Sequence, residues 1–261
     1  MPTHAIKPVP QVVREIDEEP AAISCRATDY PAGWVVAPHT HAKHQLIHAV
    51  HGVMVVRSEA GHWVVPPTRG IWMPAGTTHG IRSIGELHMR SIYVKTGAHP
   101  GFSATPGAVA ISPLLRELIK AAVEVTHPIA RNSRDSRLMR LLLDELHALP
   151  ALPLHLPWPG DPRLVTICTR LQQQPDDAST LSDWAGRLAV DVKTIQRLFA
   201  AQTGMTFGQW RQQARLLRAL ELLASGEKVL EVALTLGYDS PSAFATMFKR
   251  QFGQTPSQFF D

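Results

Sequence analysis

One helix-turn-helix pattern occurs twice in roughly the last 80 residues, and this duplication limits the possible folds more than any other feature. The copies span residues 181–204 and 230–253. Equivalent positions recur at a period of 48 or 49 residues, as Phe199 and Phe248 or Gly204 and Gly253 illustrate. Each copy predicts a helix, a short turn and a second helix. Two such units can place two recognition helices in successive major grooves of a duplex, about 34 Å apart.

Capping signals locate the helices of this half. Thr180-x-x-Asp183 is typical of a helix start, Asp191 can cap the second helix of the first copy, and Ser240-Pro241 can begin the second helix of the second copy. Between the copies, residues 206–225 predict one long helix that ends at Gly226. Its apolar stripe is predicted to face the core and consists of Phe207, Trp210, Ala214 and Leu217.

Polar side chains mark the outer face of each second helix. In the first copy, Leu188, Ile195, Leu198 and Phe199 are spaced to face inward, which leaves Lys193, Thr194, Gln196 and Arg197 as candidate DNA contacts. Gln and Arg can make bidentate hydrogen bonds to adenine and guanine edges. In the second copy the candidate DNA contacts are Ser242, Ala245, Thr246, Lys249 and Arg250.

Composition limits the class of protein but does not indicate a function. A chain of 261 residues with 44% hydrophobic residues suggests one large domain or two ordinary ones. No apolar run approaches 18 residues and the N-terminal residues lack the apolar core of a secretory signal, so we expect no membrane association. Two lone cysteines, Cys25 and Cys168, suit a reducing, cytoplasmic setting. The net charge of +4 favours a polyanionic partner only weakly, so the DNA argument rests on the motif.

Histidine separates the chain into two chemically different halves. All 13 histidines lie at or before His155, and eight fall between His39 and His88. Residues 1–20 are rich in proline and charge and predict an extended arm. Residues 21–105 contain short β-branched and aromatic runs broken by Gly and Pro, which predict an antiparallel sandwich or barrel.

A helical period replaces the strand pattern from about Val109. One helix is expected to start at Ser112-Pro113 and a second to cover residues 134–149. The second carries a stripe of Leu138, Leu142, Leu146 and Leu149. This stripe either packs on the chain's own barrel or forms the seam of a homodimer. Residues 150–160 contain four prolines and predict a semi-rigid linker, after which Asp161-Pro162 can begin a helix.

The helical half resembles the DNA-binding domain of AraC/XylS-type transcription regulators over about residues 163–258. The most specific matches are Thr203-Gly204-Met205-Thr206-Phe207, Ala233-Leu-Thr-Leu-Gly-Tyr238, Ser242-Ala-Phe244, Phe248-Lys-Arg250, Phe252-Gly253 and Thr255-Pro256. The family often has an arginine where this chain has Thr246, so the resemblance implies that the second recognition helix mainly grips phosphate through Ser242, Lys249 and Arg250.

The histidine-rich half resembles the two-part cupin pattern over about residues 25–95. The matching segments are His39-x-His41-x3-Gln45-x6-Gly52 and Gly70-x3-Pro74-x-Gly76-x2-His79. The resemblance implies that His39, His41, Gln45 and His79 are candidate metal ligands, for Zn, Fe, Ni or Cu. Gln45 replaces the glutamate of metal-binding cupins and is a weaker ligand. The same residues could instead bind an organic effector without metal, with Trp72 lining the mouth.

These resemblances together imply an α+β two-domain protein, with a cupin-like β-barrel and following helices, then an all-α double helix-turn-helix. The expected parts are a sensing barrel at 1–105 with an arm at 1–20, dimerisation helices at 106–149, a linker at 150–160 and a DNA-binding domain at 161–261. We expect a ligand-responsive transcription regulator, not an enzyme, that binds double-stranded DNA and a small-molecule effector, forms a homodimer and, if an activator, contacts RNA polymerase. The alternatives are a cupin metal-dependent oxygenase or isomerase fused to a DNA-binding domain, and a barrel that serves only dimerisation.

Overall fold

A computed structural model describes residues 8–149, 151–152 and 156–259. The chain divides into two units, one formed by Met1–Glu59 and Trp63–His155 and the other by Ala60–His62 and Leu156–Asp261. We call the first the β unit and the second the helical unit. The fold class predicted from the sequence, an antiparallel β domain followed by an all-helical domain, is confirmed.

The β unit is built on one antiparallel sheet. In the described residues its strands are β1 (Ile23–Tyr30), β2 (Val35–His39), β3 (His44–Ser58), β4 (Gly61–Val65), β5 (Arg69–Met73), β6 (His79–Val94), β7 (Gly107–Ala110) and β8 (Ala151–Leu152). The main order is β1-β6-β3-β5-β7-β8, with β2 paired to β6 and β4 paired to β3. The long strand β6 therefore pairs with β1, β2 and β3 and brings their side chains together.

Strands β3 and β6, with 15 and 16 residues, are much longer than the short runs that the sequence predicts. In β3, two apolar runs separated by Gly52, residues 46–50 and 53–57, belong to one strand. The register shifts around His51, where Gly52 adopts a positive φ of 79°. A Cβ atom at Gly52 would overlap the backbone carbonyl of Glu86, so only glycine fits. Gly52 therefore marks a bulge within a continuous strand rather than a turn between two strands.

The expected extended arm is wrong for its described part, because Val9–Glu18 forms helix α1. Pro8 precedes the helix, and its apolar residues recur at helical spacing and pack toward β2. Reading the prolines as signs of extended chain missed the role of proline at a helix start. The remaining residues of the expected arm, 1–7, lie outside the described residues.

Helices α2 (Pro113–Ala122) and α3 (Arg134–His147) cover one face of the sheet. Their buried residues join strand residues in one apolar cluster that includes Leu46, Trp72, Ile92, Leu115, Ile119, Leu138, Leu142 and Leu146. Leu142 is fully buried within the single chain and Leu149 is partly buried against the same cluster. The leucine stripe is therefore core, and the homodimer seam that we considered for it is wrong.

The sheet also continues beyond its expected end at residue 105. Val109 belongs to strand β7, which pairs with β5, and not to the start of a helix. Val109 is buried against α2 and α3, and its apolar neighbours fit a buried strand as well as a helix. Within the expected linker, Ala151–Leu152 pairs with β7, so this part is a strand rather than a spacer. Residues 150 and 153–155 of the linker lie outside the described residues.

The helical unit contains, in its described residues, α4 (Pro162–Gln173), α5 (Leu181–Leu188), α6 (Val192–Thr203), α7 (Phe207–Ala224), α8 (Val229–Thr235), α9 (Pro241–Phe252) and α10 (Pro256–Phe259). The predicted caps are confirmed: Asp161, Thr180, Asp191 and Ser240 each accept a hydrogen bond from a backbone N–H at the start of a helix. Thr206, for which no cap was predicted, does the same at the start of the central helix. The predicted central helix is α7, and Gly226 follows it with a φ of 85°.

The duplication seen in the sequence recurs in backbone detail. The Val190 N–H donates to the Ala185 carbonyl at 3.0 Å, and 48 residues later the Tyr238 N–H donates to the Ala233 carbonyl at 3.0 Å. The turn residues Ala189 and Gly237 both have positive φ, at 52° and 70°. The two helix pairs, α5–α6 and α8–α9, therefore turn through the same local geometry. Helix α7 lies between them and contacts α4, α6 and α8.

Candidate functional site

Three histidines that the sequence singled out come together in the β unit. His39 ends β2, His79 begins β6, and the two are partners in the strand register. His41 follows two residues after His39, and its loop is held by a hydrogen bond from the Gly76 N–H to the His41 carbonyl at 2.9 Å. The ring centroids are 4.5 Å apart for His39 and His79, 4.8 Å for His39 and His41, and 5.6 Å for His41 and His79. One ring nitrogen from each lies within 4.8 Å of the others.

Backbone carbonyls fix the orientation of two of these rings. His39 Nδ1 lies 2.8 Å from the Ala37 carbonyl oxygen, and His79 Nδ1 lies 2.9 Å from that of Thr77. Because a carbonyl only accepts, each neutral ring carries its proton on Nδ1 and has a lone pair on Nε2. Among the described residues, neither His79 Nε2 nor either ring nitrogen of His41 has a hydrogen-bond partner, and all are buried.

Gln45 contributes a fourth polar group on the same side of the sheet. Its side-chain N–H groups donate to the Ser91 hydroxyl at 3.0 Å and the Tyr93 hydroxyl at 3.2 Å. Its Oε1 is buried without a partner in the described part of the chain. Tyr93 also packs its ring edge-on to His41, with centroids 5.3 Å apart. Buried polar atoms without partners are costly, so this group of atoms fits a bound ligand or metal ion.

Burial keeps these imidazoles neutral. Desolvation, with repulsion from the neighbouring histidines, lowers the pKa of His41 to about 3. Desolvation lowers the pKa of His79 to about 4, partly opposed by the hydrogen bond to Thr77. The pKa of His39 is also lowered by desolvation. At neutral pH the three rings therefore offer lone pairs rather than positive charge.

A small cavity of about 40 Å³ adjoins the cluster, and α1 closes part of it with Val9, Val12 and Val13. Its other lining residues are Arg26, Thr28, Tyr30, Val36, His39, His41, Gln45, Ile81, Met89 and Tyr93. A second cavity of about 530 Å³ shares Val36 and Ile81 with it and is also lined by His79, Val35, Val55, Arg57 and Arg82. The sequence missed Tyr93 and α1, since neither lies in a recognised motif and only the strand register and packing bring them here.

Trp72 lies elsewhere, contrary to its expected place at the mouth. It pairs in register with Leu46, one residue along from Gln45, and strand side chains alternate between faces. Trp72 is therefore buried against α2 and α3, stacks on Phe102 with centroids 4.8 Å apart, and donates from Nε1 to the Ser103 carbonyl at 3.0 Å. It is a core residue and does not line either cavity.

In the helical unit, α6 presents a polar face to solvent. Ile195 and Phe199 are fully buried, whereas Lys193, Gln196 and Arg197 are exposed and Thr194 is half-buried. The N-cap Asp191 accepts from the Lys193 N–H at 2.7 Å, which fixes where the helix begins. The exposed set at i, i+3 and i+4 covers one continuous surface that can enter a groove.

The equivalent face of α9 also carries two cations, but its other side chains are shorter. Phe244 and Phe248 are fully buried, Ala245 is half-buried, and the exposed residues are Ser242, Thr246, Lys249 and Arg250. Lys249 and Arg250 lie in the last turn of the helix. Short side chains near the start and two cations near the end suit phosphate contact better than base reading.

Comparison with known proteins agrees with both units. The family of AraC-like ligand binding domains matches residues 22–142, and a helix-turn-helix domain family matches residues 184–261. The HTH-type transcriptional regulator NimR of Escherichia coli is 37% identical over 221 residues, which cover 85% of this chain and 81% of NimR. Regulatory protein SoxS of Escherichia coli is 39% identical over 66 residues, which cover 25% of this chain and 62% of SoxS.

Solved structures of ToxT from Vibrio cholerae also align along the chain. One covers 92% of this chain and 98% of ToxT at 10% identity, with a TM-score of 0.39. None of the helices in the described residues is both long enough and apolar enough to cross a membrane.

Proposed function

Since the chain belongs to the AraC-type transcription regulators, which bind DNA in sequence-specific fashion, we propose that its effector site is the histidine-lined cavity of the β unit. The observation that carries this proposal is the group of buried polar atoms without partners on His41, Gln45 and His79, as far as the described residues extend. Each buried atom without a partner costs stability, and a ligand that bonds to these atoms would remove that cost.

The volume of the larger neighbouring cavity indicates the size of the effector. About 530 Å³ is within the range of small-molecule sites. Its wall is mainly apolar, with Arg57 and Arg82 as cationic members, Glu59 as an anionic member and His79 as the residue shared with the histidine cluster. These features support a small organic effector with an apolar body and a polar or anionic end.

The DNA-reading roles follow from exposure on the two second helices. We assign base reading mainly to Gln196 and Arg197 on α6, with Lys193 and Thr194 beside them. We assign phosphate contacts to Ser242, Lys249 and Arg250 on α9, with Ala245 and Thr246 on the same surface. Mapping the genomic sites of the chain, followed by gel-shift titration of single variants, tests these assignments.

A homodimer is proposed through a surface other than the buried leucine stripe. Leu114 on α2 and Leu141 on α3 are 49% and 42% exposed, and both belong to helices whose inner faces are already packed. Light scattering of the wild type and of a Leu114→Glu/Leu141→Glu variant tests this. A dimeric variant, or a monomeric wild type at concentrations well above those in cells, contradicts this surface.

Two further assignments complete the proposal. If the protein is an activator, α8 offers RNA polymerase a surface with Leu230 and Leu234, which are 50% and 56% exposed.

We also propose that the chain is not an enzyme, because Gln45 stands where metal-dependent cupin enzymes have glutamate and its relatives are regulators. Turnover by the purified chain of any compound that binds the cavity would reverse that assignment.

The cavity assignment has its own experiment. A chemical library is screened by thermal shift on the wild type and on a His39→Ala/His41→Ala double variant, and every hit is then tested for an effect on operator binding. We expect hits that alter operator affinity in the wild type and do nothing to the double variant, which still binds DNA. Hits that alter operator binding equally in both proteins would mean that the effector binds outside this cavity.

A further inference from the structure

We propose that a groove on the β unit is a second small-molecule site, which takes an amphipathic organic anion. The groove lies between residues 19–23 at the start of β1, residues 127–131 in the connection from α2 to α3, and one side of α3. Its volume is about 720 Å³. No residue that lines it also lines either cavity beside the histidine cluster, so this site is separate from the proposed effector site.

The buried part of the groove is apolar. Ile23 and Met139 are buried, and Ile129 and Leu143 are half-buried beside them. All four pack in the apolar cluster under α2 and α3, so the core of the β unit holds this surface in place. A volume of about 720 Å³ is also within the range of small-molecule sites. The groove therefore suits the apolar body of an organic ligand.

The exposed part of the groove carries two arginines, Arg131 and Arg140. Among the described residues, neither guanidinium makes a hydrogen bond or an ion pair. Arg134 and Arg137, on the same helix but outside the groove, each donate to a neighbouring oxygen. A guanidinium binds a carboxylate, sulfonate or phosphate through parallel hydrogen bonds. Two arginines without partners beside an apolar groove therefore favour a ligand with an anionic end.

One acid, Glu19, also lines the groove, and its carboxylate accepts a hydrogen bond from the Ala21 N–H at 3.3 Å. Two lysines lie along the same segment. Lys43 donates to the Glu19 carbonyl at 2.6 Å, and Lys95 donates to the Pro20 carbonyl at 3.4 Å. The two arginines and the two lysines outnumber this acid, so the local charge favours an anion over a cation.

A buried nitrogen in the wall supplies a further donor. His127 lines the groove, and its Nε2 is buried without a hydrogen-bond partner in the described part of the chain. A neutral imidazole carries its proton on either nitrogen, so Nε2 can donate to an oxygen of a ligand. A buried polar atom without a partner costs stability, and a bound oxyanion would remove that cost.

Fluorescence titration of the full chain with anilinonaphthalene sulfonate tests the proposal. This probe joins an apolar body to an anionic group, and its emission rises when the body leaves water. Arg131→Ala/Arg140→Ala should lower the affinity about tenfold or more, because charge-assisted hydrogen bonds to the sulfonate are lost. Arg134→Ala/Arg137→Ala removes the same charge from exposed positions outside the groove and should change the affinity less than about twofold, because solvent screens distant charges.

A neutral probe and a filled groove separate the two parts of the site. Phenylnaphthylamine keeps the apolar body and lacks the sulfonate, so it should bind the wild type and Arg131→Ala/Arg140→Ala with equal affinity. Ala22 lines the groove and is exposed, so Ala22→Phe adds bulk there without entering the core. This variant should weaken the binding of both probes.

Three results would overturn the second site. The first is a wild type that does not bind the anionic probe, or binds it no more tightly than Arg131→Ala/Arg140→Ala does. The second is an equal loss in Arg134→Ala/Arg137→Ala, since the arginines would then act only through overall charge. The third is complete loss of probe binding in His39→Ala/His41→Ala, which would place the probe in the histidine-lined cavity. Retained binding in that variant supports the groove whatever the effector screen finds.

Discussion

Gln45 donates its side-chain amide to the Tyr93 hydroxyl at 3.2 Å, from a position directly opposite Tyr93 in the paired strands β3 and β6. The second amide hydrogen is donated to the Ser91 hydroxyl, so both N–H donors of Gln45 are used. Its Oε1 is left without a hydrogen-bond partner in the described residues. Tyr93 is fully buried, and desolvation raises the pKa of its hydroxyl well above the usual range, so the contact stays neutral. The polar cluster therefore carries no built-in charge, unlike a site with glutamate at this position.

Arg197 is expected to read a base. Arg197→Ala should weaken operator binding by about 1–3 kcal/mol and relax the preference at one base position, because a bidentate contact to guanine is lost. Gel-shift titration against the operator and its single-base variants measures both effects. Arg218, which is exposed on α7 and paired with Glu221, is the matched control, and Arg218→Ala should leave both unchanged. An Arg197→Ala variant with wild-type preference would mean that α6 does not enter the groove as placed.

Lys249 is expected to contact phosphate. Lys249→Ala should weaken binding to every sequence to a similar degree and lower the slope of log affinity against log salt by about one unit. The measurement is a salt titration on operator and unrelated DNA. A loss confined to the operator would assign Lys249 to base reading instead.

Leu142 and Arg140 lie on the same helix, α3, in opposite environments. Leu142 is fully buried, so Leu142→Ala should lower the free energy of unfolding by about 2–5 kcal/mol. Arg140 is exposed, and Arg140→Ala should change the free energy of unfolding by less than about 0.5 kcal/mol. Chemical denaturation measures the free energy of unfolding of both variants. Similar losses in the two would contradict the burial of the leucine stripe.

His48 should make the β unit sensitive to acid. It is fully buried, and desolvation lowers its pKa to about 4; its Nδ1 lies 3.0 Å from the Arg69 carbonyl oxygen, and Arg116 and Arg90 repel its protonated form. Below its unfolded pKa of about 6.5 the unfolded chain takes up a proton that the folded chain does not. Stability is therefore lost as pH falls from about 6.5 toward about 4, and the loss from this group at pH 5 is about 2 kcal/mol.

His48→Asn isolates that contribution, since the asparagine amide can still donate to Arg69 but does not titrate. Denaturation at pH 7 and pH 5 should show a smaller difference between the two pH values in the variant than in the wild type. Equal differences would mean that His48 is protonated in the folded protein.

The turn residue of each helix pair has a positive φ, which predicts opposite effects of two substitutions on stability. Ala189 has a φ of 52°, which costs a residue with a Cβ about 1–2 kcal/mol, so Ala189→Gly should stabilise the helical unit. Gly237→Ala should destabilise it, because φ is 70° there and a Cβ would lie 3.0 Å from Asp176 Cα. Thermal denaturation compares the two, and a destabilised Ala189→Gly variant would contradict this account of the first turn.

The sequence predicts the helical unit better than the β unit. Caps such as Thr180 and Asp191 act within a few residues, so the bounds of α5 and α6 follow from local chemistry. Strand partners are distant in sequence, so the bulge at Gly52 and the face occupied by Trp72 depend on pairing that no local pattern reports. The histidines were found because their motifs are local, whereas Tyr93 reaches them only through the register of β3 and β6.

Helix α7 contributes to the core of the helical unit and also connects its two helix pairs. Arg215 on α7 donates to the Pro175 carbonyl at 2.6 Å and lies over the Tyr238 ring, so the connector is attached near both helix pairs. If α6 reads bases and α9 contacts phosphates as proposed, the connector holds these two kinds of contact at one set distance along the duplex. The phosphate contacts of α9 would then set the position and orientation in which α6 meets the bases, without themselves depending on sequence.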